Sequence, residues 1–380
     1  MVKTLCTAPW RGLHINFRGD VKTCCAGNPN MLGNLNSHSL DEILHGNKII
    51  EIRNTIKNGS LHAEYCENCI KAERYGRSER HWHNDVNQDF DVTLALANDY
   101  KPSIVDVRWN ITCNLSCNYC GPYCSSKWAS KMKFQYRSGA RPYYEQVCDF
   151  LDKHRSNIKE VALVGGEPLL LPENERLLDV IPKDCIVTII TNMSVDFNIN
   201  PIVAKLRQRQ RVGWSMSFDN VGERFEYVRS GSKWALLQKN VDMVRVWMQE
   251  LGHWGGVHSV YNIYNCTRLT ELKEFTDLMG LAIQWQPLHN PEFLDPVLHN
   301  KDVRQLAVEQ IHLYMKSYHC DQVEKDFFSN VIARFENYAP SSAKNQFIDH
   351  INQIETKYHV RDRGKFKILW PELSNIIFNE

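Results

Sequence analysis

Apolar positions in the middle of the chain follow two alternating rhythms. Short β-rich runs at residues 104–109, 160–164, 185–190, 212–218, 256–263 and 281–285 predict six strands. Between them lie stretches with helical spacing. From Ser232 onward, Trp234, Leu237, Val241, Val244, Met248 and Leu251 step by three and four and predict one buried stripe. Thr267 is placed to cap the next helix, whose face is Leu269, Leu272, Phe275 and Leu278, and Gly280 is placed to stop it. Strands that each lead into a crossover imply an α/β fold with a parallel sheet covered by helices. Right-handed crossovers would curl six such units into an open, partial barrel, and periodicity alone does not separate that from a doubly wound sheet.

The flanks differ. Residues 1–100 are polar, rich in Gly, Asn and His, and hold Cys6, Cys24, Cys25, Cys66 and Cys69. Residues 39–44 and 49–56 predict short helices, and the rest reads as loop. Such a segment lacks the apolar mass for a core of its own, and a bound metal would explain how it folds. After residue 290 the chain reads as helical and charged, punctuated by Pro287, Pro291 and Pro296. Three regions result: an N-terminal module and linker (1–100), an α/β region (101–290) and a helical C-terminal extension (291–380).

Composition sharpens the chemistry. The chain has 380 residues, 43% of them hydrophobic, and 13 cysteines. The first residues show neither an apolar h-region nor a cleavage site, and no run reaches the roughly 18 apolar residues of a membrane span. We therefore expect a cytoplasmic protein and no membrane partner. Thiols stay reduced there, so clustered cysteines point to metal or redox chemistry. Formal charge is +1, from 45 basic and 44 acidic residues, which argues against a broad nucleic-acid footprint. The basic run Lys205, Arg207, Arg209 and Arg211 reads as a solvated face. A small or peptidic partner is expected.

Directly after the first of these strands comes CNLSCNYCGPYC, with Cys113, Cys117 and Cys120 at intervals of four and three. That spacing would also suit a helical stripe, but Asn114, Ser116, Asn118 and the Gly121-Pro122 stop favour a loop. Three thiolates on one loop can wrap a cubane iron-sulfur cluster and leave its fourth iron without a protein ligand. This loop, with Tyr119 before its last cysteine, resembles that of the radical S-adenosylmethionine (radical SAM) enzymes. The resemblance implies a partial (β/α)6, TIM-like barrel and a 4Fe-4S cluster whose open iron chelates SAM. It also implies reductive cleavage to a 5′-deoxyadenosyl radical, fed by an external one-electron reductant such as flavodoxin or ferredoxin.

Further motifs follow in the family's order. Gly165-Gly166-Glu167-Pro168 matches GGEP, where bare backbone would let a ligand's ammonium group approach strand-end carbonyls. Thr191-Asn192 is similar to the family's TNG, with Met193 in place of the glycine. Ser217-Phe218-Asp219 resembles SxDG, with Asn220 in place of glycine. By this resemblance Ser217 would face the ribose or carboxylate of SAM, and Arg229 would pair with its carboxylate, which suits a guanidinium. Arg229 also reads as an exposed surface charge, and Asp219 as a turn cap.

Cys6, Gly19, Cys24 and the pair Cys66-x-x-Cys69 give C-x12-G-x4-C followed by CxxC. Structural zinc, an auxiliary iron-sulfur cluster and unrelated buried thiols all fit the residues. The pattern, with Gly33-Asn34-Leu35 and the helix start at Ser39, resembles the auxiliary-cluster module SPASM in its shorter twitch form. That implies one auxiliary 4Fe-4S cluster held by Cys6, Cys24, Cys66 and Cys69. The module precedes the barrel here, and residues 71–100 would carry it across the barrel mouth. Cys25 reads as a proton acceptor or hydrogen donor beside the substrate, or as a small buried residue.

Cys124, Cys148, Cys185, Cys266 and Cys320 read as core, and His81-Trp82-His83 as a linker segment able to bind metal. Trp128, Tyr143 and Trp285 line a pocket or fill the core. The expected activity is hydrogen abstraction from a substrate C–H bond for a net oxidation. The alternatives are radical modification of a peptide or protein side chain and a non-catalytic iron-sulfur or zinc binding protein.

Overall fold

Among the described residues, six neighbouring parallel strands make up one side of a nine-stranded sheet. The computed structural model describes residues 5–73, 78–92, 94–96, 98–135, 143–288, 290–318, 320–337 and 343–378. The strands are β1 (Gly12–Ile15), β2 (Asp20–Lys22), β3 (Gly33–Asn34), β4 (Ile104–Val107), β5 (Glu160–Leu163), β6 (Ile186–Thr191), β7 (Val212–Ser217), β8 (Trp254–Tyr261) and β9 (Ala282–Pro287). Their order is β3-β2-β1-β4-β5-β6-β7-β8-β9. β4 to β9 run parallel and are the six predicted strands, their ends displaced by at most two residues.

The N-terminal region departs from the loop-like expectation, because it supplies three strands. β1 pairs parallel with β4, matching His14 to Asp106, and β2 and β3 add an antiparallel edge. Strands of two to four residues carry no readable periodicity, and β1 finds its partner about ninety residues away. The Gly19 of the cysteine pattern sits in the β1–β2 turn at φ +86, a conformation that favours glycine.

Part of residues 71–100, expected as a linker, is helical and packed against the N-terminal region. A helix, Glu79–Val86, packs behind β1, where Thr7 Oγ1 donates to the His83 carbonyl and Trp82 Nε1 to Glu160. Residues 74–77, 93 and 97 of the expected linker lie outside the described residues.

Helices fall where the apolar stripes put them. In Trp234–Glu250, Leu237, Val241 and Val244 are fully buried. Leu269–Met279 ends at Gly280 in the left-handed region, φ +66. Thr267 does not cap it: its hydroxyl donates to Glu372, and Arg268 takes the cap position without a side-chain bond. The basic run is also not a solvated face throughout, since Arg209 is buried and donates to the carbonyls of Leu178 and Pro182. The C-terminal extension covers the α/β region: Trp370 and Phe347 pack on Tyr264, and Phe328 on Trp285. Trp128, Tyr143 and Trp285 are all buried, as are Cys148, Cys185, Cys266 and Cys320, whereas Cys124 is exposed rather than core. Among the described residues no helix is long and apolar enough to cross a membrane.

One face of the sheet is dry and the other is not. Val187, Ile189, Val212, Trp214, Met216, Val257, Ile283 and Trp285 are buried. The alternate positions Thr188, Ile190, Ser215, Ser217, His258, Gln284 and Gln286 are half-buried or exposed. Parallel strands covered by helices on both sides read as continuous apolar runs. Here the polar alternates share a face by register, as Ser217 aligns with His258 and His258 with Gln284. This polar face is where a ligand has room.

Candidate functional site

Residues 108–125 leave the end of β4 as a loop that the rest of the sheet holds in place. Ser116 N donates to the Ser230 carbonyl (3.0 Å) and Asn118 N to that of Val228 (2.7 Å), so the loop is tied to the segment after β7. Trp128 Nε1 donates to the Cys117 carbonyl (2.9 Å) and Ser125 Oγ to that of Leu115 (2.7 Å). Asn192 Nδ2 donates to Asn114 Oδ1 (2.9 Å), which ties in the end of β6. Cys117 is buried, and Cys113 and Cys120 are half-buried. Burial pushes the Cys117 thiol up to about 12 and raises that of Cys113; the hydrogen bond between Cys120 and exposed Cys124 raises Cys120, with burial adding to it, and brings Cys124 down to about 6.

The GGEP segment turns out to brace this loop. A Cβ on Gly166 would sit 2.3 Å from the Thr112 carbonyl oxygen and 2.6 Å from that of Ile111, so its bareness serves backbone against backbone. Gly165 has φ +141. Glu167 is fully buried, and its carboxylate accepts from Thr191 Oγ1 (2.8 Å), Asn192 N (2.8 Å) and Leu169 N (3.2 Å). Burial raises its carboxyl to about 7 against those three donors. Glu167 thus pins the ends of β5 and β6 together. Met193, which stands where the resembled motif has glycine, is fully buried at φ +57, a rare conformation for a side-chain-bearing residue.

Beyond the loop stands a buried charged cluster. Arg229 donates to Asp219 Oδ2 through Nη2 (2.9 Å) and Nε (3.2 Å), and Tyr119 OH donates to the same oxygen (2.7 Å). Val260 N donates to Asp219 Oδ1 (2.8 Å). Arg229 is therefore not the exposed surface charge that was one reading of it; it is 6% exposed, and Asp219 is 1% exposed. The structure brings Tyr119, Ser217, Arg229 and the three loop cysteines to the same end of the parallel sheet.

The N-terminal cysteines meet around a second site. Cys6, Cys24, Cys66 and Cys69 line one small cavity, together with Arg80 and Tyr65. Cys6 precedes a short helix, Ala8–Arg11, Cys24 follows β2, and Cys66 and Cys69 flank the start of Glu67–Glu73. Tyr65 clamps the pieces: Thr23 N (2.7 Å) donates to its hydroxyl, and Asn28 N donates to its carbonyl. Burial pushes Cys6 up to about 12 and Cys66 up to about 11, with neighbouring thiols adding repulsion.

A cationic iron-sulfur core would reverse that cost by ionising the thiols. The alternative of structural zinc needs four ligands within about 2.3 Å of one point. Four thiols around one pocket can meet that demand or hold an iron-sulfur cluster. Cys25 does not line that cavity. Its thiol is raised by burial and by Glu79, Cys24 and Asp106, which places it on the side facing β4.

Two groups on the polar face went unread in the sequence. His14 Nδ1 lies 2.9 Å from Asp106 Oδ2, both buried, and Arg108 Nη2 holds the same oxygen at 3.0 Å. Burial lowers His14 despite the carboxylate, so the imidazole is neutral near pH 7. His258, beside Ser217, is likewise lowered by burial. Polar residues at alternate positions of β6 to β9 were the available signal for this face.

Residues 6–70 match the SPASM family, an iron-sulfur cluster-binding domain. The N-terminal region is a SPASM module. It shares one sheet with the strands that carry the radical SAM-type cysteine loop. No curated protein matches the chain. Solved structures similar to it include native anSMEcpe with bound AdoMet, at 15% identity and TM-score 0.42 over 60% of this chain and 62% of that one. Streptococcus suis SuiB bound to S-adenosylmethionine is 17% identical, at TM-score 0.42 over 57% of this chain and 48% of that one. The chain thus spans less than two thirds of either.

Proposed function

We propose that this chain is a radical SAM enzyme, built on a partial (β/α)6 barrel, that removes hydrogen from a substrate C–H bond for a net oxidation. The observation that carries the reading is a three-cysteine loop, braced from four sides, at the same sheet end as the Arg229–Asp219–Tyr119 cluster. A 4Fe-4S cluster with SAM supplies, when bound, the 5′-deoxyadenosyl radical. Cys113, Cys117 and Cys120 hold three irons of that cluster, and Gly166 and Glu167 keep the loop's shape. Arg229, fixed by Asp219, offers its guanidinium to the SAM carboxylate, with Tyr119 and Ser217 beside it.

A net oxidation also needs acceptors for one electron and one proton once hydrogen has been abstracted. Cys6, Cys24, Cys66 and Cys69 hold an auxiliary 4Fe-4S cluster as the electron acceptor. His14, neutral and oriented by Asp106, supplies a proton acceptor on the polar face. That face suits a polar substrate, either a small molecule or a peptide segment. Thirteen cysteines free of disulfides support a reducing, cytoplasmic setting with an external one-electron reductant.

Anaerobic reconstitution tests the reading. About eight irons per chain are expected, and four irons plus one zinc would overturn the auxiliary cluster. Dithionite and SAM should release 5′-deoxyadenosine, and a deuterated substrate should pass its label to it. A fully reconstituted protein that releases none is not a radical SAM enzyme.

A further inference from the structure

Behind the cysteine loop lies a groove of about 470 Å³. Ser230 to Lys233, Lys131 and the segment from Tyr358 to Lys365 form its walls. One layer of side chains separates it from the buried cysteine. His359 Nε2 lies 3.1 Å from Ser116 Oγ, and the Trp128 ring packs on His359 (5.4 Å) and Tyr358 (5.1 Å) while its Nε1 holds the Cys117 carbonyl.

The chemistry of this surface is cationic. Lys131, Lys233, Arg361 and Lys365 line the groove against two acids, Glu226 and Asp362, which pair with Lys233 (3.2 Å) and Lys365 (2.9 Å). Residues 357–367 hold five basic side chains and one acidic, in a chain whose net charge is only +1. Within this stretch Val360 is 60% exposed, and Ile368 just beyond is 75% exposed, so apolar contact area sits among the charges. Two polar atoms of buried residues lining the groove, Ser232 Oγ and His359 Nδ1, have no hydrogen-bond partner.

We propose that this groove and the basic 357–367 segment are the docking surface for an acidic one-electron carrier protein. The proposal rests on the radical SAM reading, for which it names the partner's place of entry. One electron leaves the reduced carrier, which is thereby oxidised by one, and enters the site held by Cys113, Cys117 and Cys120 from its back. The polar face then stays free for substrate. Complementary charge steers such an encounter and fixes its register, and makes it sensitive to salt. Nucleic acid fits less well, because the patch is confined to one groove and its rim.

The test measures binding as well as turnover. Flavodoxin is titrated calorimetrically into the reconstituted enzyme at low salt, with the Arg361→Glu/Arg363→Glu/Lys365→Glu protein alongside. Binding is expected to weaken at least about tenfold in that variant, and in the native protein as ionic strength rises from about 0.05 to 0.2 M. Dithionite-driven release of 5′-deoxyadenosine should be unchanged. Carbodiimide cross-linking of the native pair should join flavodoxin carboxylates to Lys131, Lys233 or Lys365, and this readout stands if the variant does not fold. Unchanged flavodoxin affinity in the variant, cross-links elsewhere, or tighter capture of poly(U) RNA than of flavodoxin would overturn the proposal. Native enzyme that is inert with dithionite would instead overturn the radical SAM reading and leave the binding data to judge the surface.

Discussion

The two cysteine sites solve the problem of holding a cluster in opposite ways. The SPASM site would draw its four donors from three places spread over residues 6–69, and they meet only because a short helix, a hairpin and the Cys66–Cys69 turn close around one cavity. The loop site would take all three donors from eight consecutive residues, on a loop already shaped by bonds to Ser230, Val228, Trp128 and Asn192. A cluster therefore organises the first site, whereas the protein organises the second. Four thiolates also close a cluster, while three leave one iron for a ligand. The first site suits electron storage and the second suits binding.

The comparison breaks most sharply at single cysteines. Cys117→Ala should lower 5′-deoxyadenosine release by more than about a thousandfold, a loss of roughly 4 kcal/mol or more in the barrier. Iron should fall from about eight to about four per chain, with the fold intact by circular dichroism. Cys66→Ala should lose the same iron but keep dithionite-driven SAM cleavage, and it should open residues 6–70 to limited proteolysis. Equal protease resistance in the two variants would show that the SPASM site is as preformed as the other.

A smaller effect separates a charge that is bound from one that is merely buried. Asp219→Asn leaves the Arg229 guanidinium in place without its countercharge, and should cost about 3–5 kcal/mol of stability in urea titration. Replacing both residues by apolar ones of similar volume should recover most of that stability and none of the SAM affinity. The Asp219–Arg229 pair then belongs to binding, not to the fold.

Acid should erode both regions. Burial lowers His83, behind β1, to about 3 and His359, behind the cysteine loop, to about 4. Each is neutral when folded and binds a proton more readily when unfolded. The stability each gives is thus complete above its unfolded pKa of about 6.5, and falls by up to about 1.4 kcal/mol per pH unit as pH drops toward the folded value. Glu167, raised to about 7, opposes this with a contribution that is whole below about 4.5 and lost as pH rises through 7. Urea midpoints should fall by the equivalent of about 1–3 kcal/mol between pH 7 and pH 5. His83→Phe should flatten the trend in the SPASM module, and His359→Phe behind the loop.

Legibility in the sequence followed the range of the interactions. β4 to β9 and the stripe of Trp234–Glu250 were readable because each is set by residues close in sequence. The cysteine loop was readable because its three cysteines fall within eight residues. β1 was not, since its ladder partner lies across the whole module, and the His14–Asp106 pair could not be foreseen without that ladder. Gly166 shows a subtler limit: its motif was legible, but the contact that demands glycine, the Ile111 and Thr112 carbonyls, was not. Arg209 misled because charge patterning cannot see the carbonyls of Leu178 and Pro182 waiting beneath it.

The smallest effect on the metal sites should come from the cysteine between them. Cys25 is adjacent to a SPASM donor, yet its thiol lies outside the cavity and within electrostatic reach of Asp106 and Arg108 on β4 and the loop after it. Cys25→Ala should therefore keep about eight irons per chain and dithionite-driven SAM cleavage at the native level. Iron below that value would place Cys25 among the donors. If iron holds but deuterium transfer from substrate proceeds without product, the thiol acts on the substrate after hydrogen abstraction.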